Sequence, residues 1–217
     1  MPSLTVENYV KAIYQRSSAQ NGRPAATGEI AEALAVSPGT VTSMLKTLSE
    51  TNLVTYTPYE GVSLTAAGEA LALRVLRRHR LIELFLVKTL DLTWDEVHDE
   101  AEHMEHAVSD LLVDRIDAFL GYPPADPHGD PIPRADGTID EAAGRSLAAC
   151  GAGEQVQLVR VLDQSPQFLR YLSSTGLPLG TRGEVVANHQ EAGIVTLRVE
   201  GSETTLGLDA AAKLLVR

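Results

Sequence analysis

The spacing of apolar positions changes character several times along this 217-residue chain. Between residues 4 and 17, Leu4, Tyr9, Val10, Ile13 and Tyr14 recur at helical intervals, and the polar, glycine-containing stretch SAQNGRPAA ends that helix. Thr27 reads as the N-cap of TGEIAEALAV, whose Ile30, Ala33 and Leu34 share one face. Ser37 caps the next segment, SPGTVTSMLKTLSETNLV, with Pro38 in the first turn, where its missing N–H costs nothing. Val41, Met44, Leu45 and Leu48 form its buried stripe. Two short helices joined by a tight turn around Ala35 and Val36 make a helix-turn-helix pattern. The runs LVTYTP and VSLT flank Tyr59-Glu60-Gly61 as a hairpin. A generic helical bundle shares the two-helix pattern; the hairpin favours a winged helix.

Residues 65–89 predict one long helix capped by Thr65, with Arg74, Arg77, Arg78 and Arg80 on a polar face and Leu71, Val75, Leu81, Ile82 and Phe85 on an apolar stripe. Residues 94–120 predict a second, with Trp94, Val97, Met104, Val108, Leu111, Leu112, Ile116 and Phe119 as apolar positions. Such a pair builds either a dimer interface, with Leu81, Phe85, Val108 and Leu112 as contacts, or an intrachain hairpin. Five prolines between residues 121 and 151 mark a loop and linker. The last segment alternates differently: QVQLVRVL, RGEVVA, GIVTLRVE and ETTLGL are short β-like runs, with a helix PQFLRYLSS between the first two. The fold class is mainly α with a C-terminal β domain. The expected organisation is a winged-helix domain over 1–64, a helical domain over 65–140, a linker over 141–151 and a small β-barrel over 152–217.

Charge is distributed unevenly. Residues 1–64 carry 4 basic and 5 acidic side chains, residues 65–90 carry 5 and 2, residues 91–141 carry 2 and 15, and the remainder balances at 7 and 7. The net −11 therefore belongs to one central stretch, so it does not argue against nucleic-acid binding elsewhere. No apolar run reaches the roughly 18 residues a membrane span requires, and the N-terminus has no secretory pattern. The single Cys150 cannot form an internal disulfide. These features point to a cytoplasmic protein with no membrane partner.

The acidic stretch contains the candidate chemistry. At about 100° per residue, His98, Glu102, Glu105 and His106 fall on one sector of a helix, together with apolar Val97 and Ala101. Burying four such groups is costly without a neutralising cation. His79 and Glu83, four residues apart, share a face of the preceding helix, so two antiparallel helices could enclose a metal site of oxygen and imidazole donors. Asp99, Glu100 and His103 lie off that sector and read as a solvated acidic face. The metalloenzyme signatures His-Glu-x-x-His and His-x-x-Glu-His are absent, as are a phosphate loop and Gly-x-Ser-x-Gly. A DNA-binding module beside a metal site reads as a metal-responsive regulator and not an enzyme. The rivals are a constitutive winged-helix regulator and a metal-dependent hydrolase.

The segments ENYVKAIY at 7–14, IAEALAVSPGTVTSMLKTL at 30–48, LRRHRLIELFLV at 76–87, WDEVHDEAEHMEHAVSD at 94–110 and DPHGDPIP at 126–133 resemble the diphtheria toxin repressor family, most of all its three-domain manganese transport regulator branch. The resemblance implies a helical dimerisation domain, an SH3-like C-terminal domain and a homodimer that binds double-stranded operator DNA and represses metal uptake genes. It implies two metal sites per subunit, filled by Mn²⁺, with Fe²⁺ or another divalent transition metal as the alternative. The primary site would use Asn8, Glu102, Glu105 and His106. The ancillary site would use His79, Glu83 and His98, completed from the stretch holding Asp163, Gln164 and Gln167. Asp126 and His128 occupy a loop that reaches a secondary metal site in some manganese-sensing relatives, although DPHG could equally be a simple turn. Ser37, Gly39, Thr40 and Ser43 would touch base edges, while Thr42, Lys46 and Tyr59 would meet phosphate. Two departures stand out. Iron-sensing relatives carry cysteine where this chain has Glu102, and a hard carboxylate there favours hard cations such as Mn²⁺. Manganese-sensing relatives usually carry aspartate where this chain has Asn8.

Overall fold

Residues 3–140 and 144–217 are described in a computed structural model; residues 141–143 of the expected linker lie outside the described residues. The chain divides into two units, Met1–His79 with Pro133–Thr138 and Arg80–Ile132 with Ile139–Arg217.

In the first unit, Ser3 caps α1 (Leu4–Ala19), accepting from the Val6 amide. The second helix, α2 (Thr27–Ala33), has Ala26 rather than the expected Thr27 in the capping position. Ala25 explains the difference. It pairs with Val62 through two backbone hydrogen bonds of 2.9 and 3.0 Å, which keeps the chain extended up to Ala26. The exposed Ala26 amide is then satisfied by Glu29 Oε2 at 2.8 Å. Ala35 bends the chain at φ 51, and Ser37 opens α3 (Pro38–Glu50), accepting from the Thr40 amide at 3.1 Å. β1 (Val54–Thr57) and β2 (Gly61–Leu64) form the antiparallel wing, with Val54 opposite Leu64 and Thr57 opposite Gly61. A single core of Tyr9, Ile13, Ile30, Val41, Leu45, Leu48, Val54 and Val62 joins the three helices to the wing. Gly61 sits at φ 112, where a Cβ would fall 2.8 Å from the Ala25 carbonyl, so the wing's root closes only on glycine.

Helix α4 (Ala66–Leu90) runs for 25 residues. Its expected solvated arginine face is not observed: Arg77, Arg78 and Arg80 are buried, and Arg74 alone of the four is exposed. In the first unit Arg78 faces the buried Glu7 of α1, Nη1 to Oε1 at 3.6 Å.

The second unit continues with α5 (Val97–Met104) and α6 (Asp110–Phe119). The single helix expected over residues 94–120 is thus two. Ser109 adopts an extended conformation (φ −79, ψ 155), and its hydroxyl accepts from the Leu112 amide at 3.3 Å. By then α5 has already ended at Met104, and the Ser109 cap satisfies a free donor at the start of α6. At the other end, Glu96 Oε2 accepts from the Thr93 amide and hydroxyl, so residues 94–96 form a turn instead of helix. Ile82, Leu86, Val97 and Ala101 pack α4 on α5, and Leu81, Val113, Ile116 and Ile132 pack it on α6. Each buried large aliphatic contributes about 1.5–3 kcal/mol. Leu81 is therefore an internal core residue and not available to a partner subunit.

The remaining elements are β3 (Arg145–Ser146), a 3₁₀ turn (Leu147–Ala149), β4 (Gln155–Val161), α7 (Pro166–Ser174), β5 (Arg182–His189), β6 (Ile194–Val199), β7 (Ser202–Gly207), α8 (Leu208–Ala211) and β8 (Leu214–Val216). They build an antiparallel sheet in the order β3-β8-β4-β5-β6-β7. Part of the stretch read as linker is thus sheet: β3 pairs with β8, and Leu147 and Cys150 enter the sheet's core. No residue pairing between β3 and β7 closes it among the described residues, so the sheet is open between those two strands.

Candidate metal centre

Local chemistry shapes the loop that follows α6. In Asp126-Pro127-His128-Gly129-Asp130, Asp126 Oδ1 accepts from the backbone N–H of His128 at 2.8 Å and of Asp130 at 3.0 Å. The Asp126 amide in turn donates to the Asp130 carbonyl at 3.0 Å. Gly129 makes the bend at φ 89; a Cβ there would lie 2.1 Å from the Val159 carbonyl of β4. The loop is thus pressed against the sheet, and the Val161 amide donates to the His128 carbonyl at 2.9 Å.

That turn drives His128 and Asp126 beneath the surface toward Glu83 of α4, and all three are buried. Each offers a donor atom, and the three atoms lie within 4.8 Å of one another. His128 Nε2 donates to the Trp94 carbonyl at 2.8 Å, which fixes the tautomer because a carbonyl only accepts. The other nitrogen, Nδ1, is sealed from solvent and makes no hydrogen bond. It faces Glu83 Oε2 at 3.7 Å and Asp126 Oδ1 at 3.9 Å. An imidazole lone pair converging with two carboxylate oxygens suits a cation. With metal–ligand bonds of about 2.0–2.6 Å, the spread of the three atoms is close to one ion's diameter of coordination. The residues present therefore fit a divalent metal.

Without a cation, the same crowding of charge favours bound protons. Burial, reinforced by the charges of Asp130 and Glu83, pushes the Asp126 carboxyl up to about 7, against the opposing pull of His128 and Arg80. Burial alone would lower His128, but the neighbouring Glu83 carboxylate, then Asp126, outweigh it and leave its pKa raised. Arg80 is the buried cation nearby, its Nε 3.7 Å from Asp126 Oδ2, and it also donates to the Pro131 carbonyl at 2.5 Å.

Glu83 also reaches toward α5: its Oε1 lies 3.3 Å from His98 Nδ1, and His98 Nε2 lies 3.8 Å from Glu102 Oε1. His79 lies one turn before Glu83 on α4 and is buried. Because α5 ends at Met104, Glu105 is its C-cap residue and His106 follows in the turn; Glu105 is sealed, with Oε1 3.0 Å from His106 Nε2. Asn8 is half-buried on α1, and its Oδ1 is sealed from solvent without a hydrogen-bond donor.

The stretch expected to complete the ancillary site is placed differently. Asp163 Oδ2 is held by Lys213 Nζ at 2.7 Å, Gln164 Nε2 donates to Asp130 Oδ2 at 3.0 Å, and Gln167 is exposed. Sequence reasoning missed Trp94, Arg80, Asp130 and Arg160 as neighbours of the site. Only Asp130 had a local signal, as the second aspartate of the Asp-Pro-His-Gly-Asp turn.

On the winged helix, Ser37, Gly39, Thr40, Ser43 and Lys46 are exposed along one side of α3. Thr42 is half-buried, and its hydroxyl donates to the Pro38 carbonyl at 3.0 Å. Tyr59 stands fully in solvent at the wing tip, at φ 69. Thr42, Lys46, Tyr56 and Tyr59 line one groove. On α6, Leu111 and Phe119 are each 69% exposed and Leu112 is 48% exposed, with the Phe119 ring edge-on to Phe85 of α4 at 6.1 Å between centroids.

A winged helix joined to helices that bear buried carboxylate and imidazole donors defines a metal-responsive DNA-binding regulator. Comparison with known proteins places it further. Residues 1–62 match the iron dependent repressor N-terminal DNA binding domain, residues 65–134 the iron dependent repressor metal binding and dimerisation domain, and residues 145–217 the FeoA domain. The diphtheria toxin repressor of Corynebacterium efficiens is 32% identical over 202 residues, covering 88% of this chain and 86% of that one. The iron-dependent repressor IdeR of Mycobacterium leprae is 34% identical, covering 75% and 68%. The solved structure of a manganese-dependent transcriptional repressor in complex with manganese superposes with a TM-score of 0.87 at 42% identity, covering 97% and 98%. The chain belongs to the diphtheria toxin repressor family, in its three-domain form, with an SH3-like FeoA sheet domain at the C-terminus. Its members are metal-dependent transcriptional repressors and not enzymes. Among the described residues no helix is long and apolar enough to cross a membrane.

Proposed function

We propose that this chain is a manganese-dependent repressor, cytoplasmic and homodimeric, that binds operator DNA when loaded with Mn²⁺ and represses metal uptake genes. The observation that carries the reading is the sealed Glu83–Asp126–His128 trio, whose imidazole lone pair meets two carboxylates and no hydrogen-bond donor. Two sites per subunit are inferred: one from Glu102, Glu105 and His106 with Asn8, the other from Glu83, His79 and His98 with Asp126 and His128. Asp163, Gln164 and Gln167 are left out of the donor sets, since the first two are held by other partners and the third faces solvent. A bound divalent cation supplies the positive charge that lets these groups share a buried space.

Every donor is a carboxylate, amide or imidazole, and such a set suits Mn²⁺ better than a thiolate-bearing one. The manganese-bound structural neighbour supports the same metal. The iron-dependent repressors among the relatives support Fe²⁺ as the second reading. Exposed Ser37, Gly39, Thr40 and Ser43 would read bases, and Lys46 and Tyr59 with Thr42 would position the domain on phosphate. The exposed strip of Leu111, Leu112 and Phe119 would carry the dimer contact, spacing two α3 helices for half-sites about one DNA turn apart. A winged-helix domain over 1–64 and a helical domain over 65–140 belong to the same reading, with the sheet domain starting at β3.

Fluorescence anisotropy of a labelled operator fragment, titrated with Mn²⁺, Fe²⁺, Zn²⁺ or chelator, tests it. Mn²⁺-stimulated binding that chelator reverses is expected. Binding indifferent to metal would reject the reading, and stimulation by Fe²⁺ at lower concentration than Mn²⁺ would favour the iron alternative.

A further inference from the structure

We infer that Arg160 of the sheet domain is a positioning residue for the Glu83–Asp126–His128 metal site, acting through Asp130. The inference rests on the metal reading above. Among the described residues, the donors that converge there come from α4, α5 and the loop after α6, while Asp163 of the sheet domain is paired with Lys213 and Gln167 faces solvent. The sheet domain grips the ligand loop instead. Arg160 Nε pairs with Asp130 Oδ1, Gln164 Nε2 donates to Asp130 Oδ2 at 3.0 Å, and Arg80 Nη2 lies 3.4 Å from the same oxygen. Asp130 is also the residue whose amide and carbonyl hold Asp126, at 3.0 Å each. One carboxylate therefore connects β4 to the orientation of a metal ligand. The fit allows little play, since Gly129 lies against Val159 so closely that no Cβ could be placed, and the Val161 amide holds the His128 carbonyl. On the far side of the site, the Trp94 carbonyl fixes His128 while its indole Nε1 donates to Ser173 of α7 at 2.9 Å. The sheet domain thus holds the ligand loop at two places. By linkage, docking of the sheet domain and metal affinity must strengthen each other equally.

The site carries its own reporter. Trp94 is the sole tryptophan of the chain and stacks on His128, with ring centroids 6.3 Å apart. Trp94 fluorescence of the full chain, titrated with Mn²⁺, gives the affinity of this site. Removal of an outer partner of a metal ligand typically costs about 10–100-fold, so Arg160→Met is expected to weaken Mn²⁺ at least ~10-fold and Arg160→Lys to recover most of the loss. The double variant Asp130→Asn/Arg160→Met should bind no worse than Asp130→Asn, because the two act in series. Wild-type affinity in Arg160→Met, where His128→Leu abolishes the signal, overturns the role of Arg160 and leaves the metal reading standing. A titration that neither variant changes overturns both. If Arg160→Met does not fold, Arg160→Gln decides, since it removes the charge facing Asp130 while keeping a polar side chain, and its unchanged affinity would equally overturn the role of Arg160.

Discussion

Replacing His128 by leucine separates a ligand from a buried structural histidine. Leucine fills a similar volume but cannot donate to the Trp94 carbonyl, which His128 Nε2 now meets at 2.8 Å. In chelator, the buried carbonyl left unsatisfied costs about 1–3 kcal/mol. For a chain of this length 1 kcal/mol moves the melting midpoint by about 2–4 °C, so the metal-free variant should melt several degrees lower. The metal-dependent increment is larger. At Mn²⁺ one hundred times its dissociation constant, binding to the native state adds about 2.7 kcal/mol. Loss of a protein ligand weakens the site by at least ~100-fold, the upper end of what lost outer partners cost. The same Mn²⁺ concentration then adds only about 0.4 kcal/mol. The variant should therefore lose about 2.3 kcal/mol of Mn²⁺-induced stabilisation, roughly 5–9 °C, beyond its metal-free deficit. Differential scanning calorimetry with and without Mn²⁺ reads both numbers, and isothermal titration reads the stoichiometry. A variant with a lower metal-free midpoint but a wild-type Mn²⁺ increment and stoichiometry would show His128 to be structural.

Glu102→Cys should raise the response to Fe²⁺ relative to Mn²⁺ in operator anisotropy, because a thiolate suits softer cations; an unchanged ratio of midpoints would count against Glu102 as a ligand. Asn8→Asp should lower the Mn²⁺ midpoint about fivefold, as expected for roughly 1 kcal/mol gained from a charged donor, and no shift would remove Asn8 from the site. Leu111→Glu places a charge on an exposed apolar position of α6 and should weaken self-association at least ~10-fold in sedimentation equilibrium, with the melting midpoint of the dissociated chain unchanged. Partial burial pushes the Asp163 carboxyl up, but Lys213 and Ser165 outweigh it and hold it below the usual range. A depressed carboxylate contributes stability above its unfolded pKa and loses it as pH falls through the folded value. Lys213→Met should therefore shrink the drop in melting midpoint between neutral and acid pH, and an unchanged drop would show that the pair contributes nothing.

Local chemistry alone determined much of this protein. The period of apolar residues located α1, α2, α3, the wing and the four longest strands of the sheet, because each buries one face and a buried face imposes its period. Ser37 before Pro38, and the five prolines after residue 121, placed their boundaries for equally local reasons. The clustering of His98, Glu102, Glu105 and His106 with His79 and Glu83 was legible as a candidate cation site, and of these the side chains of His79, Glu83, Glu105 and His106 are buried while those of His98 and Glu102 keep 42% and 35% exposure. What followed from distant contacts was not legible. Apolar periodicity runs straight through residues 105–109, yet α5 ends at Met104 and α6 starts afresh at Asp110 behind the Ser109 cap. Arg80 looked solvated on its helix, but a loop fifty residues later supplies Asp130 and the Pro131 carbonyl that allow its burial. Whether Asp126 and His128 were a plain turn depended on Glu83 and Trp94 lying beneath them, and on β4 pressing against Gly129. An ion pair or a ligand set requires two or three specific atoms to converge within a few ångströms, and the sequence lists the candidates without stating which of them meet.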